Sequence, residues 1–387
     1  MKIINKKSHI SVIIAFMLAH AANDGFLALF PPLLPLIREH FDLSYTQLGG
    51  VMTSYTFFGS LFQIPAGYFA YYVSSSTLMV SGLMWVSCVF LLATYAKSYW
   101  MLTTTFSLAG IGSATYHPLS FSLLSKFYKK EILGRIIGFH MGASSAAHMV
   151  TPLLVILFAN KFGWYWPIRL WCLYGIAAAL ILLVVLRKQI TNGQKHKGKA
   201  LRLPYVSSAL IFFVVFRLIW SFAWRGMSTF LPTFLVETAH FSIKSASLYF
   251  MAMYLIEVFA RPLMGAYSDK IGKRKSIIFV ECSLCAVLFL ALTIAHANLI
   301  LLLIIVGIGF LAGSIPVVSQ TYAIEMIPEE QRERTLGFLF TINTVATTFS
   351  PLFVGFVADY FGLIQSFVIL TALVGVSLIF LIFSREN

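Results

Sequence analysis

HAANDGFLALFPPLLP, residues 20–35, sets an imidazole and a carboxylate inside an apolar run, and it has an echo at residues 224–235, WRGMSTFLPTFL. A shift of 201 positions lays Asp24 on Arg225, Gly25 on Gly226, Pro31 on Pro232 and Leu34 on Leu235. An acid in one copy answers a base in the other. At nearly the same shift LGRIIGF (133–139) meets ERTLGF (333–338), matching Arg135 to Arg334 and Gly138 to Gly337, and Pro152 falls on Pro351. A chain that repeats itself around ionisable residues in apolar runs has the pattern of a duplicated helical unit of a transporter.

The composition puts that unit in a membrane. The 387 residues are 59% hydrophobic and 11% charged, whereas soluble chains carry about a quarter charged residues. A helix needs about 20 apolar residues to cross the hydrocarbon, so twelve crossings take up roughly 250 to 300 residues and leave loops rather than a soluble catalytic domain. The runs fall at about 46–72, 76–96, 99–125, 135–158 and 165–187 after a first span that continues through Leu29, then at about 206–232, 243–267, 275–296, 298–325, 333–357 and 363–384. The expected fold class is all-α: twelve transmembrane helices in two six-helix bundles, 1–187 and 206–387, joined by a cytoplasmic linker at 188–205. Residues 1–21 imitate a secretory signal, with Lys2, Lys6 and Lys7 before an apolar stretch. Because the segment has a counterpart in the second half, it reads as the first span, left uncut.

The formal charge of +14 does not mark a nucleic-acid binder. With both termini inside, about 20 basic residues fall on inner segments and about four on outer ones (Arg38, Lys97, Lys161, Lys244), the positive-inside bias of a multi-pass protein of the bacterial inner membrane. No basic helix or stacking platform gathers them. Cys88, Cys172, Cys282 and Cys285 all lie within spans, where neither a disulfide framework nor a closed zinc site is expected. No nucleophile elbow, metal cluster or nucleotide loop is present, so an enzyme is not expected, nor a metal or other cofactor.

After the eighth span comes Gly265-Ala-Tyr-Ser-Asp269-Lys270-Ile-Gly272-Lys273-Arg274. It resembles the signature loop of the major facilitator superfamily, Gly-x-x-x-Asp-x-x-Gly followed by two basic residues. The resemblance implies that Gly265, Asp269, Lys270, Gly272 and Arg274 form a conformational latch, Asp269 pairing with a cation or a helix N-terminus. The matching loop of the first half keeps Gly67 but has Tyr71 in place of the acid. The superfamily's fourth-span arginine is also missing, since Thr103, Thr104, Thr105 and Phe106 stand ahead of Gly110-Ile-Gly112. Within the superfamily, HAxND…PPLLP and Tyr116-His117-Pro118 resemble the fosmidomycin-resistance branch of efflux transporters, which implies proton-driven export of a small anionic compound.

Ionised groups at bilayer depth cost about 2.5–3.5 kcal/mol each on insertion scales, so each is expected to face a partner or a polar cavity. His20, Asn23 and Asp24 share one helical face, as do Arg217, Ser221, Trp224, Arg225 and Ser228. Guanidinium groups beside aromatic rings suit carboxylate, phosphate or phosphonate. Glu257 and Arg261, four apart, are placed to pair. His140, Ser144 and His148 line one face of the fifth span. Asp24, His117 and Glu257 are thus read as proton-coupling groups, and His20, Asn23, Tyr116, Arg217, Trp224 and Arg225 as substrate-binding ones. Glu281 is read as pairing with the basic inner loop. The whole describes a monomeric, proton-coupled secondary transporter of a small anionic or zwitterionic solute, whose units rock around a midplane cavity. The alternative cargo is a polycarboxylate siderophore or an organic acid.

Overall fold

A backbone in lipid has no water to satisfy its N–H and C=O groups, and helix is the structure that satisfies them within one segment. The computed structural model of the chain describes residues 6–70, 72–128, 130–187, 205–328 and 331–384, and among them every regular element is helical. Tyr71 and nearly all of the predicted linker, 188–204, lie outside the described residues.

Two units divide the chain, Met1–Leu43 with Gly50–Lys199, and Ser44–Gly49 with Ala200–Asn387. The first half supplies α1 (Lys6–Phe41), α2 (Tyr45–Leu61), α3 (Gln63–Phe69), α4 (Ser75–Ala93), α5 (Tyr99–Ser113), α6 (Tyr116–Phe127), α7 (Lys130–Leu154), a π-helical turn at Val155–Ala159, α8 (Asn160–Phe162) and α9 (Tyr165–Leu186). The second supplies α10 (Ser208–Glu237), α11 (Ile243–Ile271), α12 (Arg274–Ile294), α13 (Asn298–Met326), α14 (Arg332–Thr348), α15 (Ser350–Phe361) and α16 (Leu363–Phe383). In the first unit α1 packs on α7 and α9, and α4 on α5 and α9; in the second, α10 packs on α14, α15 and α16, and α13 on α11 and α12.

Ten helical stretches are long and apolar enough to cross a membrane, against the twelve spans predicted. The difference lies in the second and fourth spans, each of which is two helices: α2 and α3, of 17 and 7 residues, and α5 and α6, of 15 and 12. Proline causes both breaks. Its ring clashes with the carbonyl four residues back and it offers no N–H. Four before Pro65 is Leu61, where α2 ends, and four before Pro118 is Ala114, in the gap between α5 and α6. Pro351 sits likewise two residues past the turn at Phe349 that divides α14 from α15.

The matched glycines of the two halves do the same work. A Cβ on Gly25 would fall 2.0 Å from Cζ2 of Trp171 on α9, and one on Gly226 would fall 2.6 Å from Val354 Cγ2 on α15. Each lets the helix that carries the ionisable residues lie flat against a neighbour. Trp171 returns a bond, donating Nε1–H to the Ala22 carbonyl at 3.1 Å.

Candidate functional site: a histidine-bound carboxylate and an arginine face

Asp24 lies midway along α1, and three helices of the first unit converge on it. From α1 itself His20 Nε2 is 3.1 Å from Oδ2, and Asn23 Nδ2 donates to Oδ1 at 3.0 Å. From α6, His117 Nε2 is 3.1 Å from Oδ1. From α7, Ser144 donates its hydroxyl to Oδ2. Burial is graded: the side chain of His20 is 0% exposed, Asp24 16% and His117 35%, so the cluster reaches its surroundings through His117.

The position of one proton follows from the partners. His20 Nδ1 lies 2.7 Å from the carbonyl oxygen of His140. A carbonyl only accepts, so Nδ1 carries hydrogen. Nε2 is left facing Asp24, and an ionised carboxylate also only accepts. A hydrogen bond there therefore requires a second proton, on His20 or on Asp24. The rest of the cluster surrounds the ring, with His140 stacked on His20 at a centroid distance of 4.1 Å, Tyr116 at 5.5 Å from His20, and the Tyr116 and His140 rings 6.0 Å from each other. Tyr116 is anchored in turn by its hydroxyl, which donates to the Phe16 carbonyl at 2.7 Å.

The sequence points to His20, Asn23 and Tyr116 as substrate contacts; the structure buries all three, with His20 Nδ1, Asn23 Nδ2 and the Tyr116 hydroxyl bonded inside the unit. Ser144 and the carbonyl of His140 were missed as partners of this site. The four-residue spacing of His140, Ser144 and His148 gave a shared face but not what it meets. Nε2 of His20, Nε2 of His117 and a carboxylate oxygen of Asp24 lie within 4.8 Å of one another, and they are the group of potential metal ligands among the described residues. Each of the two imidazole nitrogens stands 3.1 Å from a carboxylate oxygen of Asp24.

In the second unit α10 carries the arginines. Arg217 donates to Ser319 of α13, and Trp224 and Arg225 are half-buried about two turns further on. Tyr254 of α11 hydrogen-bonds Ser228 and lies within the field of Arg225, Glu257 and Arg261. Glu257 pairs with Arg261, as their spacing predicted, and its side chain is 9% exposed. Three arginines against one paired acid leave this face positive. Arg169, by contrast, belongs to an aromatic stack, 4.4 Å from the Tyr165 ring and 4.8 Å from that of Tyr95, and takes no part in either cluster.

The signature loop closes on itself. α11 ends at Gly272 with φ +72°, a left-handed cap that glycine adopts freely. The chain then turns so that Arg274 donates Nη2–H to Asp269 at 2.8 Å, Nε–H to Glu325 at 2.7 Å and Nη1–H to Ser268 at 2.8 Å. Gly265 lies in ordinary contact with Val317 of α13, and Lys270 is exposed.

Helices long and apolar enough to cross a membrane, with ionisable clusters inside them, are the architecture of a multi-pass membrane transporter. The chain belongs to the Major Facilitator Superfamily, whose family model matches residues 16–316 and again 251–387. It is 24% identical over 321 residues to the Fosmidomycin resistance protein of Escherichia coli (strain K12), covering 81% of this chain and 78% of that protein. It is 26% identical over 270 residues to the Nitrite extrusion protein of Bacillus subtilis (strain 168), covering 67% of this chain and 66% of that one. A crystal structure of a bacterial homolog to the human lysosomal transporter Spinster, in an inward-facing and occupied conformation, shares the fold with a TM-score of 0.86 and 16% identity, over 98% of this chain and 97% of that one.

Proposed function

We propose that this protein exports a small anionic solute in exchange for protons, by alternating access, as a monomer in a bacterial inner membrane with both termini in the cytoplasm. The observation that carries the reading is the carboxylate of Asp24 held between two histidines inside a membrane-crossing helix. Such a site changes charge when it gains or loses a proton, and a buried change of charge is costly enough to bias a conformational equilibrium. His117, the most exposed member, is the port through which the proton exchanges. His20, Asn23, Tyr116 and Ser144 hold Asp24 in place.

The anion is taken by Arg225 with Trp224 and Arg217, because guanidinium stays charged when buried and donates in two prongs. Glu257 balances Arg261 and is a further group for the proton. The outward direction is supported by two relatives, one named for resistance to fosmidomycin and one for extrusion of nitrite. The coupling is reciprocal: whatever factor the anion applies to proton affinity, the proton applies to anion affinity.

The test is flux in proteoliposomes with and without an imposed pH gradient, using fosmidomycin, nitrite, a dicarboxylate and a ferric polycarboxylate chelate as cargo. One of these is expected to move against its gradient when protons run the other way, and Asp24→Asn is expected to abolish that accumulation. Flux indifferent to the pH gradient, or full activity in Asp24→Asn, overturns the reading.

A further inference from the structure

Glu281 has no part in the clusters above. Its place near the start of α12 suggested a bond to the basic inner loop; the structure corrects this, since the residue is 3% exposed and turned inward onto Ser314 of α13. A place two turns from the start of a span does not by itself put a side chain at the surface. Rotation about the helix axis decides, and α12 is rotated to put Glu281, Cys282 and Cys285 on its buried side.

Counting protons shows what state Glu281 is in. Ser314 Oγ makes two contacts, one with Glu281 Oε1 and one of 2.8 Å with the Leu311 carbonyl. A hydroxyl has one hydrogen, and a carbonyl can only accept. If Glu281 is ionised, that hydrogen is divided between two acceptors. If Glu281 is a neutral acid, its own O–H donates to Ser314 Oγ, Ser314 donates to Leu311, and both contacts are full bonds. Oε2 supports the second arrangement, being buried with no hydrogen-bond partner among the described residues. A bare carboxylate oxygen in such a place carries a large desolvation cost, whereas the carbonyl oxygen of a neutral acid carries much less.

Among the described residues no cation answers Glu281 from the elements packed around it. On its own helix the neighbours are the thiols of Cys282 and Cys285. From α10, Arg217 approaches Cys282 but donates to Ser319. From α11, Arg261 is committed to Glu257, and Glu257 lies against Gly313, where a Cβ would fall 2.2 Å from its Cγ. α16 carries no titratable residue along its length. Residues 313 and 314 of α13 thus touch one acid on each side, the ion-paired Glu257 and Glu281.

We propose that Glu281, bonded to Ser314, is a separate proton-binding site in the second unit, loaded in the conformation described and emptied in the course of transport. The coupling role rests on the proton-driven reading above; the bound proton does not. The site takes one proton and no other ligand. Its release frees Ser314 to donate to the new carboxylate, at the expense of the bond to Leu311 in the middle of α13.

Infrared difference spectra of the purified full chain, recorded as pH is raised in H2O and in D2O, test occupancy. A protonated-carboxyl stretch that is sensitive to deuterium is expected, lost in Glu281→Gln and moved to higher frequency in Ser314→Ala, where its hydrogen-bond acceptor is gone. A band unchanged in both variants overturns the proposal, and the serine variant alone decides it should the glutamine variant not fold. The role is read in proteoliposomes. Glu281→Gln is expected to exchange substrate across the membrane at equal pH while losing accumulation driven by a pH gradient. Undiminished accumulation overturns the coupling role. Wild type that ignores the gradient while the Glu281 band is present overturns the proton-coupled reading instead.

Discussion

Asp24 and Ser144 stand 120 residues apart and meet in a hydrogen bond, the serine hydroxyl donating to the carboxylate Oδ2 that also faces His20. A donor of this kind favours the charged form of the acid, and hydrogen bonds to charged groups are worth about 1.5–3 kcal/mol. Ser144→Ala is therefore expected to displace the pH profile of transport by about one unit, at about 1.4 kcal/mol per unit. Initial rates over a range of external pH measure this. An unmoved profile removes Ser144 from the site.

His117 gives the cluster its opening. An imidazole exchanges protons near pH 6.5 when unperturbed, whereas an amide of similar reach can donate to Asp24 but cannot titrate. His117→Gln is expected to preserve folding, judged by size-exclusion profile and melting temperature, and to flatten the pH dependence of transport around neutrality. If the profile keeps its shape, the proton enters by another route.

What the sequence shows of this and what it hides have physical causes. The repeat and the apolar runs are written along the chain, so the fold class and the matching of α1 with α10 as repeated elements are legible there. The face shared by His20, Asn23 and Asp24 is likewise legible, because helical spacing is local. The partners from α6 and α7 are not, since nothing in a helix fixes which neighbour its polar face meets. Glu281 shows the limit most plainly. A helix in lipid is apolar toward its neighbours and toward the acyl chains alike, so periodicity does not mark its inner side. The broken second and fourth spans were legible in principle at Pro65 and Pro118, but Pro31, Pro32 and Pro35 stand inside an unbroken α1. Proline removes one bond, and packing decides whether the helix parts.

Arg225 offers two parallel donors to an anion, and lysine offers a point charge of the same sign. Arg225→Lys is expected to raise KM for the transported anion by about tenfold, equivalent to about 1.4 kcal/mol, with a smaller effect on the maximal rate. Saturation curves in proteoliposomes separate the two. An unchanged KM would place the anion elsewhere.

Asp269 is 68% exposed and shares Arg274 with Glu325. An exposed pair contributes less than about 1 kcal/mol, so Asp269→Asn is expected to leave the melting temperature nearly unchanged. The transport rate is expected to fall, because the latch acts on the balance between conformations rather than on the fold. Lys97→Gln, altering an exposed cation outside this loop, is the control. Equal rates in both variants remove the latch from Asp269.

Gly25 and Gly226 provide the test of the repeat itself. Each sits where an added methyl group meets a side chain at well under contact distance, 2.0 Å at Trp171 and 2.6 Å at Val354. Overpacking of this size costs about 1–3 kcal/mol. At Gly25 the obstacle is an indole whose Nε1–H is bonded to Ala22, so yielding also strains that bond. At Gly226 a valine methyl and the Ser350 hydroxyl can shift more freely. Gly25→Ala is thus expected to lower the melting temperature more than Gly226→Ala, and to disturb transport as well, since Gly25 adjoins Asp24 and any displacement of α1 moves the carboxylate away from His117. Thermal unfolding in detergent, followed by tryptophan fluorescence, reads the first effect and the pH profile of flux reads the second. Alanine tolerated at both positions without loss of stability would show that the two helices do not depend on these contacts.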